Sequence, residues 1–502
     1  MEVDAPTLGT ATLDADVCIV GAGPAGLTLA CELAARRWRI IVLESGGRGP
    51  DPVAQTLCEG TTSGDPYAGL VVTRHRQAGG TAQIWNTAVD NTMGAKYVPL
   101  DALDFEARPW WPLSGWPFDR AHLDPYYARA QTVCGLGRGA YQGEDWERTD
   151  RPRLPLSPGR LTTGVYQFGP AGCFTETHLD EIRRARNVLL CLHATALALE
   201  REPGARSITH VRAAGPTNRA VRVRARVFVL AAGGIENARL LLLADRLGTL
   251  GDESGLVGRC FMEHPRDVAC RLVPADPRLF DRCGLYDVHR EADGLVMGRL
   301  TLTEEARRRE ELPAMAVTLA PLPRELRWRT AESLRTRVLG ERPRRRTGWS
   351  RLRGKPRRFA ALELLLNLEQ APDPDNRVTL DAACDRFGLP KPALHWRWRA
   401  LDQANLVRLR ALVADELERH GLGRVEVADA PPDPNAHHHM GTTRMHRDPR
   451  RGVVDEHTRV HGLSNLYVAG SSVFPTSGFA NPTLTLVALS LRLADHLEKQ
   501  LR

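Results

Sequence analysis

Residues 16–44 read DVCIVGAGPAGLTLACELAARRWRIIVLE, and this stretch decides the class of the chain. An apolar run at 16–20 leads into GAGPAG at 21–26. The LTLACELAARR that follows places apolar residues at Leu27, Leu29, Ala30, Leu33 and Ala34, the spacing of a helix packed on a sheet. RIIVL at 39–43 gives a second strand, closed by Glu44, 18 residues after Gly26. Strand, glycine turn, helix, strand and acid form a complete βαβ unit for dinucleotide binding. Gly21 makes the tight turn, Gly23 lets a pyrophosphate reach the backbone, and Gly26 lets helix and strand close up. Pro24 and Ala25 open a helix whose free N–H groups and positive dipole end face the phosphates. Glu44, with Ser45 beside it, can accept hydrogen bonds from a ribose diol, and its charge repels a 2′-phosphate, which argues against NADP. The fingerprint alone leaves FAD and NAD open.

Working outward, VFVLAAGG at 227–234 reads as a buried strand, and NLYVAG at 465–470 as a last strand followed by a helix from about residue 481 to 499. That strand lies more than 400 residues after the fingerprint, so the nucleotide domain is expected to be assembled from discontinuous segments. A cofactor as long as a flavin dinucleotide needs contacts of that extent. The expected fold is α/β: a Rossmann-like FAD-binding domain from 1–99, 186–260 and 431–502, and an α+β substrate domain, with a mostly antiparallel sheet, from 100–185 and 261–430. A length of 502 residues fits two or three domains.

Composition is that of a globular protein, with 42% hydrophobic and 25% charged residues. No stretch reaches the roughly 18 apolar residues of a membrane-spanning helix. The first fifteen residues carry acids and no apolar core, so no secretory signal is expected. The ten cysteines lack C-x-x-C or metal-ligand spacing and read as reduced thiols, which suits a cytoplasmic location. Net charge is +8, yet a basic insert at about 324–358 holds fourteen Arg or Lys against three Glu, leaving the rest slightly acidic. Such an insert is able to contact an anionic surface or another subunit. The blander reading is a solvated arginine-coated loop in an arginine-rich chain, and no nucleic acid is expected as partner.

Four motifs in order carry a family resemblance: GAGPAG (21–26), AGGTAQIWN (78–86), VLAAGGIENARLLL (229–242) and HHMGTTRMHRDPRRGVVDEHTRVHGLSNLYVAGSSVFPTSGFANPT (438–483). VGRCFMEHP (257–265) and PDPDNRVTLDAACDRFGLP (372–390) add to it. With these the chain resembles the glucose–methanol–choline (GMC) oxidoreductases along nearly its whole length, in the branch of pyranose oxidases and fructose dehydrogenase large subunits.

The resemblance implies FAD and a histidine facing it in an H-x-x-G-T context, here His438, paired with Asn481 of ANPT. It places Gly79, Gly80, Trp85 and Asn86, the Ala196 backbone, Ala231, Ala232 and Gly233, with Asn237 nearby, along the cofactor. Gly470 and Ser471 fall at the pyrophosphate and ribityl chain, and Asn481, Pro482 and Thr483 at the ring. Some pyranose oxidases bond FAD through a histidine just before the motif's Trp. Here that position is Ile84, so FAD is expected to be noncovalent.

The implied reaction oxidises a hydroxyl of a sugar, glycoside or aminoglycoside-type intermediate to a carbonyl, with oxygen or a quinone-type molecule as acceptor. A neutral imidazole suits the base because its pKa lies near 6.5. His438 takes the proton, and Asn481 steadies the developing alkoxide. The alternatives are an NAD-dependent dehydrogenase, for which no second fingerprint is found, and a redox-silent flavin lyase of the same fold. No metal is expected: neighbours in the triplet His437–His439 diverge, with no Asp, Glu or Cys cluster beside them. His75, His264 and His446 read as structural, while 64–70 and the Trp-rich 110–116 could border a substrate.

Overall fold

A computed structural model describes residues 1–5, 12–85, 87–89, 92–248, 250, 252–324, 347–434 and 436–502. The first strand of the fingerprint, Thr12–Val20, sits in the middle of a parallel layer. It pairs with Ile40–Leu43 on one side and with Ala220–Leu230 on the other. Ile40–Leu43 continues to Val188–Leu192, and the end of Ala220–Leu230 takes on Leu466–Val468. Strand order therefore reverses at the fingerprint strand, where open α/β sheets form a ligand crevice beyond their carboxyl ends. The sequence segments that supply this layer match the Rossmann-like expectation. His193, at φ +50°, divides the apolar run 187–199 into Val188–Leu192 and Thr195–Glu200, and the second half turns into an antiparallel meander.

Helices Pro24–Ala35 and Thr483–Leu501 pack on this layer and on each other. In the first, Leu27, Leu29, Ala30 and Leu33 are all buried, as their spacing requires.

A second, wholly antiparallel sheet runs in the order Gly423–Val427, Arg266–Pro274, Phe359–Leu368, Met315–Pro323, Gly294–Leu302, Leu161–Pro170, Thr92–Tyr97, Thr87–Val89. The last two strands precede residue 100, so the chain crosses between the sheets soon after Trp85. One face of this sheet packs with the helix Ala400–Arg419 around Leu364, Leu366, Leu409 and Val413. Alternation along the strands turns Tyr166 and Phe168 the other way, into the core shared with the nucleotide layer. The basic insert connects Met315–Pro323 to Phe359–Leu368, and Arg324 N donates to Arg358 O at 2.9 Å. Its residues 325–346 lie outside the described residues.

All ten cysteines are unpaired thiols, and nine are buried. No helix among the described residues is long and apolar enough to cross a membrane.

Candidate active site

The fingerprint turn is shaped by what a side chain would strike. Gly21 has φ +108° and lies against the Ala231 carbonyl, while a Cβ on Gly26 would collide with the carbonyl of Gly21. Gly79 N donates to Ala22 O at 2.8 Å, bringing the pair Gly79–Gly80 onto the fingerprint turn, with Gly80 against Gly23. Beyond the strand ends opens a cleft lined by Gly21, Gly23, Pro24, Ala25, Glu44, Ser45, Gly80, Trp85 and Ala196. Ala231, Ala232, Gly233, Gly470, Ser471, Pro482 and His438 complete it.

Other expected residues stand behind this wall. Gly26 and Gly79 close the turns. Asn237 accepts from Ala232 N at 2.8 Å and donates to Ala469 O and Ser472 Oγ at 3.2 and 3.0 Å, tying two strand ends together. Thr483 is buried at the start of the last helix. Asn86 lies outside the described residues.

The cleft fits a dinucleotide on its own chemistry. Gly233 and Gly470, at φ +85° and +114°, would each point a Cβ into space with nothing within 4 Å. Their bare backbone is thus offered to the cleft. Glu44 is buried and accepts from Ala22 N and Gly46 N at 2.9 and 2.8 Å. Burial raises its pKa, opposed by those N–H groups. Ser45 Oγ meets Thr195 Oγ1 at 2.8 Å and accepts from Arg76 at 2.9 Å.

Arg74 and Arg76, which no sequence motif marks, also line the cleft, as does His75, read from the sequence as structural. Both arginines pair with buried Glu236 at 2.9 Å, and burial of that carboxylate is overcome by their charges, which bring its pKa down to about 2.

At the other end, three side chains meet. His438 Nδ1 lies 2.9 Å from His264 Nδ1, and His438 Nε2 lies 3.2 Å from Asn481 Nδ2. His264 Nε2 lies 3.3 Å from the Ser477 carbonyl. A carbonyl only accepts, so His264 carries its proton on Nε2. Burial holds its pKa down to about 4 and keeps it neutral, which leaves Nδ1 as an acceptor. His438 must then donate from Nδ1, and its lone pair is left on Nε2, beside the Asn481 amide. Burial, helped by the positive charge of Lys96, also holds His438 well below the usual imidazole range. The pair expected from the sequence is thus brought together, whereas His264, read there as structural, belongs to the same constellation. His264 and His438 stand 174 residues apart in sequence, and only the fold reveals the contact.

Glu263 steadies both imidazole loops. One carboxylate oxygen accepts from the backbone N–H groups of His438 and His264 at 2.9 and 3.3 Å, and the other accepts from the Tyr67 hydroxyl. Burial raises its pKa to about 7. His439 turns away from His438, with Nε2 at 3.6 Å from Glu263 and its ring near Phe261. His446 accepts from Asp448 N at 2.9 Å. In the two stretches considered as substrate borders, Tyr67 reaches Glu263 and Trp116 donates to Thr476 at 2.9 Å. Among the described residues, one group of metal-ligating types clusters, Cys31, His178 and Glu181, with donor atoms within 4.8 Å; it is separate from the histidine triplet.

Residues 372–490 match the family model described as GMC oxidoreductase. The chain is 26% identical to the fructose dehydrogenase large subunit of Gluconobacter japonicus, covering 98% of this chain and 99% of that one. It is also 26% identical to the 6‴-hydroxyparomomycin C oxidase of Streptomyces lividus, covering 97% and 93%. Its fold is similar to that of pyridoxine 4-oxidase from Mesorbium loti, with a TM-score of 0.53 at 16% identity over 96% and 99% of the two chains. A formate oxidase gives a TM-score of 0.58 at 17% identity over 98% and 100%. With the glycine cleft at one end and the His438–Asn481 pair at the other, the chain carries a GMC oxidoreductase domain at 372–490 and is an FAD-dependent oxidoreductase acting on CH–OH groups, similar along nearly its whole length to the fructose dehydrogenase large subunit.

Proposed function

We propose that this chain oxidises a hydroxyl group of a carbohydrate-like molecule to a carbonyl. The observation that carries the reading is the closeness of His438 Nε2 and Asn481 Nδ2, 3.2 Å apart. A hydroxyl set between them donates to the unprotonated Nε2 and accepts from the amide. Proton removal by His438 and stabilisation of the resulting oxyanion by Asn481 then act on one atom. FAD bound in the cleft supplies the acceptor for the hydride that leaves the carbinol carbon. Gly23, Pro24 and Gly80 would hold its pyrophosphate region, Glu44 its ribose, Ala196 its adenine, and Gly470, Ser471 and Pro482 its ribityl and ring end. The linkage is noncovalent, since Ile84 offers no nucleophile. A carbohydrate-like substrate is supported by relatives named for fructose, paromamine and pyranose. Oxygen or a quinone serves as the final acceptor. The segments 1–99, 186–260 and 431–502 form the cofactor domain, apart from the strands at 87–97, which side with the substrate domain.

The test is an anaerobic screen of sugars, glycosides and aminoglycoside precursors for bleaching of the bound flavin, followed by admission of air. Bleaching by an alcohol with wild-type protein, lost in His438→Ala while FAD stays bound, supports the reading. Absence of bleaching of FAD-loaded wild type by every compound tested would overturn the reading and point to the redox-silent alternative.

A further inference from the structure

Among the described residues, Arg299 is a buried cation without a counterion. It is 3% exposed, its Nε and Nη1 have no hydrogen-bond partner, and no carboxylate among the described residues forms an ion pair with it. The acid whose field reaches it, Asp101, is itself engaged by Arg307 at 3.4 Å. Leaving a guanidinium buried and unpaired is strongly unfavourable, so its presence here calls for a ligand. The local sequence is built around it. Gly164 lies opposite Arg299 in the sheet, and a Cβ there would collide with Nη1. The guanidinium rests 5.1 Å from the ring of Tyr166 and 4.8 Å from that of Phe479, two aromatic faces that tolerate a cation without neutralising it.

Its position relative to the catalytic pair follows from the register. Strand pairing sets Met297 against Tyr166 and Lys96 against Phe168, so Arg299, Tyr166 and Lys96 share the sheet face turned toward the nucleotide layer. Lys96 Nζ lies 4.3 Å over the Tyr166 ring, and its charge reaches both His264 and His438. Phe479 lies two residues before Asn481, in the segment whose Ser477 carbonyl holds His264. The Ser477 hydroxyl is also buried without a hydrogen-bond partner.

Resting on the oxidase reading above, we infer that Arg299, with Lys96, recognises an anionic group on the substrate, so that the natural substrate is an acidic polyol and not a neutral or amino sugar. A carboxylate or phosphate takes bidentate bonds from a guanidinium, which suits Arg299. An ammonium group would be repelled by the same pair of charges.

The test uses FAD-loaded enzyme and four probes on one sugar skeleton: glucose, glucuronate, glucose 6-phosphate and glucosamine. Flavin reduction is followed anaerobically, and acetate and inorganic sulfate are titrated against the flavin spectrum. Expected are a lower KM for glucuronate or the phosphate than for glucose, by about 10²-fold, and weaker action on glucosamine. The better of the two acidic probes tells carboxylate from phosphate. Arg299→Met should raise the acidic-probe KM to that of glucose and abolish the anion effect on the spectrum, while raising the Tm of the ligand-free enzyme, because a buried unpaired charge is removed. Equal KM values for acidic and neutral probes in wild type, or a lower Tm in Arg299→Met, overturn the inference. If anions perturb the flavin through Arg299 but no alcohol of any charge bleaches it, the cation site stands and the oxidase reading falls.

Discussion

The Nδ1 atoms of His264 and His438 lie 2.9 Å apart, and only one of them can carry the proton between them. Because the Ser477 carbonyl at 3.3 Å claims the other nitrogen of His264, the shared proton belongs to His438. A buried residue from another segment thus decides which nitrogen of His438 is free.

His264 is therefore a positioning residue, and its removal should resemble loss of the orienting partner in other histidine-based catalytic groups. His264→Leu is expected to slow flavin reduction by about 10²–10⁴-fold while FAD remains bound. His264→Asn, whose amide oxygen can accept from His438 Nδ1, should retain more of the rate. Stopped-flow reduction with the best substrate from the screen checks both, and equal rates in the two variants would contradict the tautomer argument.

In the proposed reaction Asn481 would act on the oxyanion and not on the proton. Asn481→Ala should lower the limiting rate of flavin reduction by about 10²-fold, the scale for losing one such donor. Asn481→Asp should be worse, since a carboxylate opposes the developing negative charge. Their order in single-turnover kinetics is the measurement.

The pH dependence has two arms. His264, at about 4 in the folded protein, is depressed, so its contribution to stability is complete above the unfolded value near 6.5 and is lost as pH falls toward 4. Glu263, at about 7, is raised, so its contribution is complete below about 4.5 and is lost as pH rises through 7. Thermal unfolding across pH 4–8 (about these limits) should therefore show Glu263→Gln gaining Tm relative to wild type on the alkaline side. Since His438 is also held low, flavin reduction should stay level through neutral pH and fall only well below the usual imidazole range.

Gly470 presents bare backbone to the cleft at φ +114°. Gly470→Val puts two methyl groups into the cleft proposed for the cofactor and should give protein with far less bound flavin, read from the ratio of flavin to protein absorbance. Full yellow occupancy would mean that the cofactor does not run past this residue.

Acid precipitation offers a separate check on the linkage. With Ile84 ahead of Trp85, all flavin absorbance is expected in the supernatant and none in the pellet.

The sequence by itself determined the nucleotide layer, because GAGPAG, its flanking apolar strands and Glu44 are local devices whose spacing states their geometry. Through the family resemblance, its last segment also pointed to His438 and Asn481 as a pair. What it left dark depends on distance in space. His264 stands 174 residues from His438 and gains its role only where the antiparallel sheet meets the nucleotide layer. Glu236 with Arg74 and Arg76, and Arg299 over Gly164, are charges whose meaning lies in burial and in the presence or lack of a partner. Burial and pairing arise when separate segments close on one another, and no pattern along a single strand or helix records them.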